Sequence, residues 1–199
     1  MQVAMNLGYA VRPFQREACC GDMGDSWRLP QRRVLALADG LGQGPEAERA
    51  AAAAMQCVGD YVDLDCEDIF AACNGRLRDT RGVALAVAII DRATDRLTVG
   101  AIGNIRVVLL TSERKVRLGG GRGIVGAGYS SFPLDTVSLA HGDTLVMFTD
   151  GVNEMADLRS CLADSGATMQ AFAQTILTRW SRENDDAGVL VYRHDVGEC

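Results

Sequence analysis

Two strand-length apolar runs in this chain each end in an aspartate followed by a glycine. Val34-Leu35-Ala36-Leu37-Ala38 runs into Asp39-Gly40, and Leu145-Val146-Met147-Phe148-Thr149 runs into Asp150-Gly151. Short continuous apolar runs of this kind predict buried strands. Residues 26–29 and 33–38 predict a hairpin across Pro30-Gln31. A glycine-spaced turn, Gly40-Leu41-Gly42-Gln43-Gly44, then leads into Pro45, which suits the first turn of a helix. Ala47, Ala50, Ala51, Ala54, Val58, Tyr61 and Val62 follow a three-four spacing, so this helix has a small-residue apolar face. A second helix is expected over residues 67–78.

Beyond residue 82 the pattern becomes β-branched and apolar. Residues 83–91 and 97–110 predict a long hairpin across Ala93-Thr94-Asp95. Residues 119–128 are rich in glycine and predict a loop, which fits a substrate-facing flap and a mobile surface loop of no special role equally well. Residues 134–139 and 144–149 predict another hairpin, across His141-Gly142-Asp143. A third helix is expected over residues 169–180 and a closing strand over 188–192. Strand pairs in runs with helices grouped between them indicate an α+β fold, and residues 1–199 fit a single domain.

Charge and composition narrow the classes. The net charge is −6, and no Lys/Arg cluster offsets it, which argues against a nucleic-acid surface. The longest apolar run, residues 83–90, is too short to span a bilayer. No basic segment followed by an apolar stretch opens the chain, so no signal peptide is expected. Seven scattered cysteines without a Cys-x-x-Cys pair, and two distant histidines, give poor support for zinc. They fit a reducing cytoplasm, with no membrane partner.

Acids recur at predicted strand ends. Besides Asp39 and Asp150, Asp25 (or Asp22) precedes the first hairpin, and Asp185 (or Asp186) precedes the last strand. Each alone is ordinary turn chemistry. If the ends converge, they form an oxygen-only cluster suited to Mg²⁺ or Mn²⁺ rather than zinc. Gly40 adds a carbonyl that an ion can approach closely.

The ordered set Leu37-Ala38-Asp39-Gly40-Leu41-Gly42-Gln43-Gly44, Phe148-Thr149-Asp150-Gly151 and Asp185-Asp186 resembles the metal-binding motifs of PPM-type protein phosphatases. The resemblance is to their bacterial SpoIIE-like branch and runs from about residue 20 to residue 192. Gly24-Asp25-Ser26-Trp27, Thr80-Arg81-Gly82 and Gly103-Asn104-Ile105-Arg106 support it. Where the family commonly carries threonine after the paired aspartates, this chain has Gly188.

That resemblance implies a four-layer αββα sandwich, two antiparallel sheets flanked by helices, with a binuclear Mn²⁺ or Mg²⁺ centre at one end. By likeness Asp39 bridges the ions, Gly40 offers its carbonyl, Asp150 and Asp185 hold one ion, and Asp25 supports the site. The implied activity is hydrolysis of phosphoserine or phosphothreonine by metal-activated water. The implied partner is a phosphorylated regulatory protein of the STAS-domain type in stress or sigma-factor signalling. A catalytically silent phosphoprotein-binding module and a hydrolase of small phosphate esters are the alternatives. Arg81 and Arg106 could meet a phosphate, but structural or surface roles suit them better, because the implied ions already supply the positive field.

Overall fold

The computed structural model describes residues 6–14, 19–166 and 168–195. Residues 1–5 and Cys199 lie outside them. The elements in chain order are β1 (Leu7–Arg12), β2 (Asp22–Arg28), β3 (Arg32–Gly40), α1 (Pro45–Asp60), α2 (Cys66–Arg76), β4 (Val83–Asp91), β5 (Arg96–Ile102), β6 (Arg106–Leu110), β7 (Lys115–Leu118), β8 (Gly123–Ile124), β9 (Gly128–Tyr129), β10 (Asp135–Ser138), β11 (Thr144–Phe148), α3 (Leu158–Asp164), α4 (Met169–Trp180) and β12 (Ala187–Arg193).

Two five-stranded antiparallel sheets carry the fold, ordered β1-β12-β11-β6-β7 and β10-β5-β4-β3-β2. Alternation along each strand sorts its side chains between two layers. In β3, Val34, Ala36 and Ala38 face α1 and α2, while Leu35 and Leu37 face the opposite sheet. There they meet Val107, Leu109, Met147 and Leu190. Val146, Phe148, Val189 and Val191 on the far face pack under α3 and α4 through Phe172, Ile176 and Leu177. The result is the expected α+β sandwich in four layers: helices, sheet, sheet, helices. Its central strands are apolar on both faces, which is why they read as continuous runs.

The alanine face of α1 has a structural reason. Ala47, Ala50, Ala51 and Ala54 are fully buried against the small residues of β3, and this brings helix backbone onto strand backbone. At Gly40 the approach is closest, and a methyl group on its Cα would fall on the Ala47 carbonyl. The glycine therefore permits helix packing.

Several local expectations change. Residues 97–110 are two strands: the chain leaves one sheet after Ile102, turns through Gly103, Asn104 and Ile105, and enters the other as β6. Residues 134–139 and 144–149 form no hairpin, because β10 pairs with β5 and β11 pairs with β6 and β12. The glycine-rich segment contains the small pair β8–β9 and is anchored by Gly121 N–H to Ala101 O (2.8 Å) and Val125 N–H to Val83 O (2.9 Å). Elements β1, β7 and α3 lie outside the predicted set. Among the described residues no helix is long and apolar enough to cross a membrane.

Candidate metal centre

Strand register brings the first two acids together. In the β2–β3 ladder Asp22 lies directly opposite Asp39, so both side chains project from the same face. That face is the one Leu35 and Leu37 use, the space between the sheets. Asp25, expected at the site, pairs with Ala36 on the opposite face of the edge strand and is exposed. Its carboxylate accepts the N–H of Ser26 at 2.7 Å. An offset of three residues reverses the face, so Asp22 stands at the cluster and Asp25 does not.

Asp22 is 4% exposed. Burial, and then the charge of Asp39, hold its carboxyl well above the usual range, while the Thr149 hydroxyl opposes this by donating to its Oδ2 at 2.6 Å. The same hydroxyl oxygen accepts the N–H of Gly188 at 2.9 Å. A Cβ at Gly188 would stand 3.2 Å from the Asp22 Cβ. The hydroxyl at this place comes from Thr149, just after the neighbouring strand β11.

Asp39 is pushed up to about 7. Burial is the largest cause, followed by the charges of Asp150 and Asp185, and a hydrogen bond from Asn104 opposes them. Asp185 is raised too, by burial first and then by Asp150. Asn104 Nδ2 also donates to Asp150 Oδ2 at 2.7 Å. The amide thus stands between the two Asp-Gly acids, at the turn where the chain changes sheets. Its Oδ1 is buried without a hydrogen-bond partner. The sequence carried Asn104 only as part of a supporting motif; its role follows from the crossover.

The paired acids before β12 divide their work. Asp186 accepts the N–H of Phe14 at 2.6 Å and that of Gly21 at 2.7 Å. Both of its oxygens are committed to backbone, so it ties the segment before β2 to the head of β12. Among the described residues Asp185 accepts only the N–H of Asp186, at 3.0 Å, and it faces the charges of Asp150, Asp186 and Arg182. Gly151 has no room for a side chain, because a methyl group there would fall on the Asp186 carbonyl.

An open cleft of about 340 Å³ adjoins Asp39 and Asn104, walled by Leu41 and residues 121–124 of the glycine-rich segment. The Arg81 guanidinium lies over Gly42 in the turn after Asp39. Arg106 donates to the Asn104 carbonyl at 3.0 Å and to Glu154 at 3.4 Å. His141 is exposed and pairs with Asp195, away from the acids.

Among the described residues no three acid, histidine or cysteine side chains stand close enough together to hold a metal ion as they are placed. Yet the charges of Asp150 and Asp185 reach Asp39, and that of Asp150 reaches Asp185, closely enough to raise both Asp39 and Asp185. Every donor is oxygen, and Asn104 contributes a further unpartnered oxygen. Mutually repelling carboxylates of this composition suit a hard divalent cation, which would replace repulsion by attraction.

Two antiparallel sheets packed face to face with helices outside are the fold of the solved PP2C phosphatase domain of SpoIIE from Bacillus subtilis, which superposes with a TM-score of 0.78 at 17% identity, covering 98% of this chain and 64% of that one. The chain belongs to the SpoIIE family: residues 30–195 match the family described as Stage II sporulation protein E (SpoIIE). It is similar to the phosphoserine phosphatase RsbX of Bacillus subtilis (strain 168), at 25% identity over 175 residues covering 85% of each chain. A solved chain of the bacterial stressosome, a modular system adapted to control secondary messenger signaling, superposes with a TM-score of 0.89 at 30% identity, covering 94% of this chain and 98% of that one. RsbX in complex with magnesium shares the fold at a TM-score of 0.77 and 23% identity, covering 97% and 98%.

Proposed function

We propose that this protein is a Mn²⁺- or Mg²⁺-dependent serine/threonine phosphatase acting in the cytoplasm on a phosphorylated regulatory protein of the STAS-domain type. The observation that carries the reading is the meeting of Asp22, Asp39, Asp150 and Asp185 around Asn104 at one end of the sandwich, in a chain of the SpoIIE family. Similarity to RsbX and to a stressosome chain supports a partner in stress signalling.

Asp39, Asp150 and Asp185 are the side chains that would hold the metal, with the Gly40 carbonyl beside Asp39. When bound, the metal supplies an activated water and neutralises phosphate charge. Asn104 orients the Asp39 and Asp150 carboxylates from between them. Asp22 stands behind Asp39, held by Thr149, and Asp186 fixes the backbone that carries Asp185. Arg12 reinforces that backbone by donating to the carbonyls of Arg182 and Asp185.

The test is phosphate release from a phosphorylated STAS-domain protein with and without Mn²⁺. Turnover that stops in excess chelator and returns with Mn²⁺ supports the reading. An undiminished rate in chelator, or in Asp39→Asn, sinks it. Metal-dependent cleavage of small esters with no action on the phosphoprotein would point to a small-ester hydrolase.

A further inference from the structure

Past Arg106 the surface carries a second feature that the phosphatase chemistry does not use. Two clefts of about 230 and 270 Å³ adjoin there, with Arg106 and Glu154 in the wall of both. The first also contains Asn104, Asp150 and Arg182, so it opens from the acid cluster. The second continues along the outer face of the sheet, past Phe148 and Met155, to Arg117 and Lys115 on the edge strand β7.

Register explains why these cations line up. Arg117 lies opposite Val108, and Lys115 opposite Leu110. Both therefore share the outer face with Arg106 and Phe148, which are themselves opposite each other. Because β7 runs antiparallel to β6, Arg117 is nearer the acid cluster and Lys115 is farther out. Both side chains are exposed and form no ion pair among the described residues. Glu154 is the one carboxylate in the wall of the second cleft, and Arg106 engages it at 3.4 Å. Met155, 77% exposed, adds an apolar contact at the same place.

The lane is positive on a chain whose net charge is −6. An acidic partner would be repelled by most of this surface and attracted here. We propose that Arg117 and Lys115, reached from the cluster past Arg106, form a docking lane for an acidic segment flanking the phosphorylated residue of the protein substrate. The inference rests on the phosphatase reading, because that reading places a phosphoprotein at the acid cluster. A phosphate at the cluster and acidic residues along the lane would then engage one continuous stretch of substrate. Rim charges of this kind set specificity and association more than catalysis.

The experiment uses the full chain with Mn²⁺, two phosphoserine peptides and p-nitrophenyl phosphate. One peptide carries Asp/Glu on both sides of the phosphoserine, and the other carries Asn/Gln at the same positions. In Lys115→Glu/Arg117→Glu the KM for the acidic peptide should rise about ten-fold, with kcat within about two-fold. Turnover of the neutral peptide and of the small ester should be unchanged. Fluorescence anisotropy of the labelled acidic peptide should show the same loss of affinity, and added salt should erase the difference between wild type and variant. An unchanged KM and affinity for the acidic peptide, or an equal change for both peptides, overturns the lane. Failure of the wild type to release phosphate from any substrate would instead overturn the phosphatase reading. Anisotropy would still decide the lane in that event.

Discussion

The hydroxyl of Thr149 donates to Asp22 Oδ2 at 2.6 Å, joining the strand that ends in one Asp-Gly pair to the acid that faces the other. Thr149 follows β11 in one sheet, and Asp22 opens β2 in the other. The bond therefore closes the gap between the sheets at the end where the acids meet. It also lowers the cost of keeping a carboxyl group there.

Thr149→Val keeps the shape and removes the hydroxyl. It leaves Asp22 and the Gly188 N–H without their buried partner, which should cost about 1–3 kcal/mol of stability. Urea unfolding followed by circular dichroism measures this, and an unchanged midpoint would show that water replaces the bond.

The two acids of β2 should behave differently. Asp22→Asn should raise the Mn²⁺ concentration needed for half-maximal turnover by about 10–100-fold, the usual effect of losing a group that orients a ligand. Asp25 is exposed on the other face, and Asp25→Asn should stay within about two-fold. A Mn²⁺ titration of phosphate release on both variants distinguishes them.

The metal-free protein should lose stability as pH rises. Asp39 has an ordinary value of 3.8 and is held at about 7 in the fold, so the fold favours its protonated form. That contribution is complete below 3.8 and is lost as pH rises through about 7. Asp22 and Asp185 are raised as well and act in the same direction. Thermal melts in chelator should therefore fall from pH 5 to pH 8. Mn²⁺ should raise Tm more at pH 8 than at pH 5, because it competes with protons for the same oxygens. A Tm in chelator that climbs over this range would contradict the crowding of these acids.

Asn104→Leu removes the amide between Asp39 and Asp150 while keeping a similar volume. Turnover should fall about 10–100-fold, as for other groups that orient metal ligands, with far-ultraviolet circular dichroism unchanged. Full activity would mean that the metal alone orients both carboxylates.

Gly40→Ala places a methyl group on the Ala47 carbonyl. The helix must shift, at a cost of about 1–3 kcal/mol, and the turn carrying Asp39 should shift with it. Loss of both thermal stability and Mn²⁺ affinity is the expected pair of outcomes.

Much of the fold was legible because its signals are local. The runs that became β3 and β11, the alanine face of α1 and the period of α4 all reflect neighbours within a few residues. The hairpin expected from residues 134–139 and 144–149 has suitable strands and a suitable turn, yet β10 pairs with β5, Thr136 lying opposite Thr98, 38 residues upstream. Residues 97–110 looked like one strand because Gly103, Asn104 and Ile105 interrupt pairing without interrupting hydrophobicity. The match Gly24-Asp25-Ser26-Trp27 points to Asp25, whereas strand alternation against β3 puts Asp22, opposite Asp39, on the face of the acids.

From the sequence alone follow the two Asp-Gly strand ends and the α+β class, since composition and short-range period are properties of neighbouring residues. Tertiary structure decided which acids share a space, that Asn104 stands between Asp39 and Asp150, and that Thr149 supports Asp22. It also decided that Arg117 and Lys115 continue outward from the cluster. Those relations depend on register between strands and on which sheet a strand joins, and no local pattern specifies either.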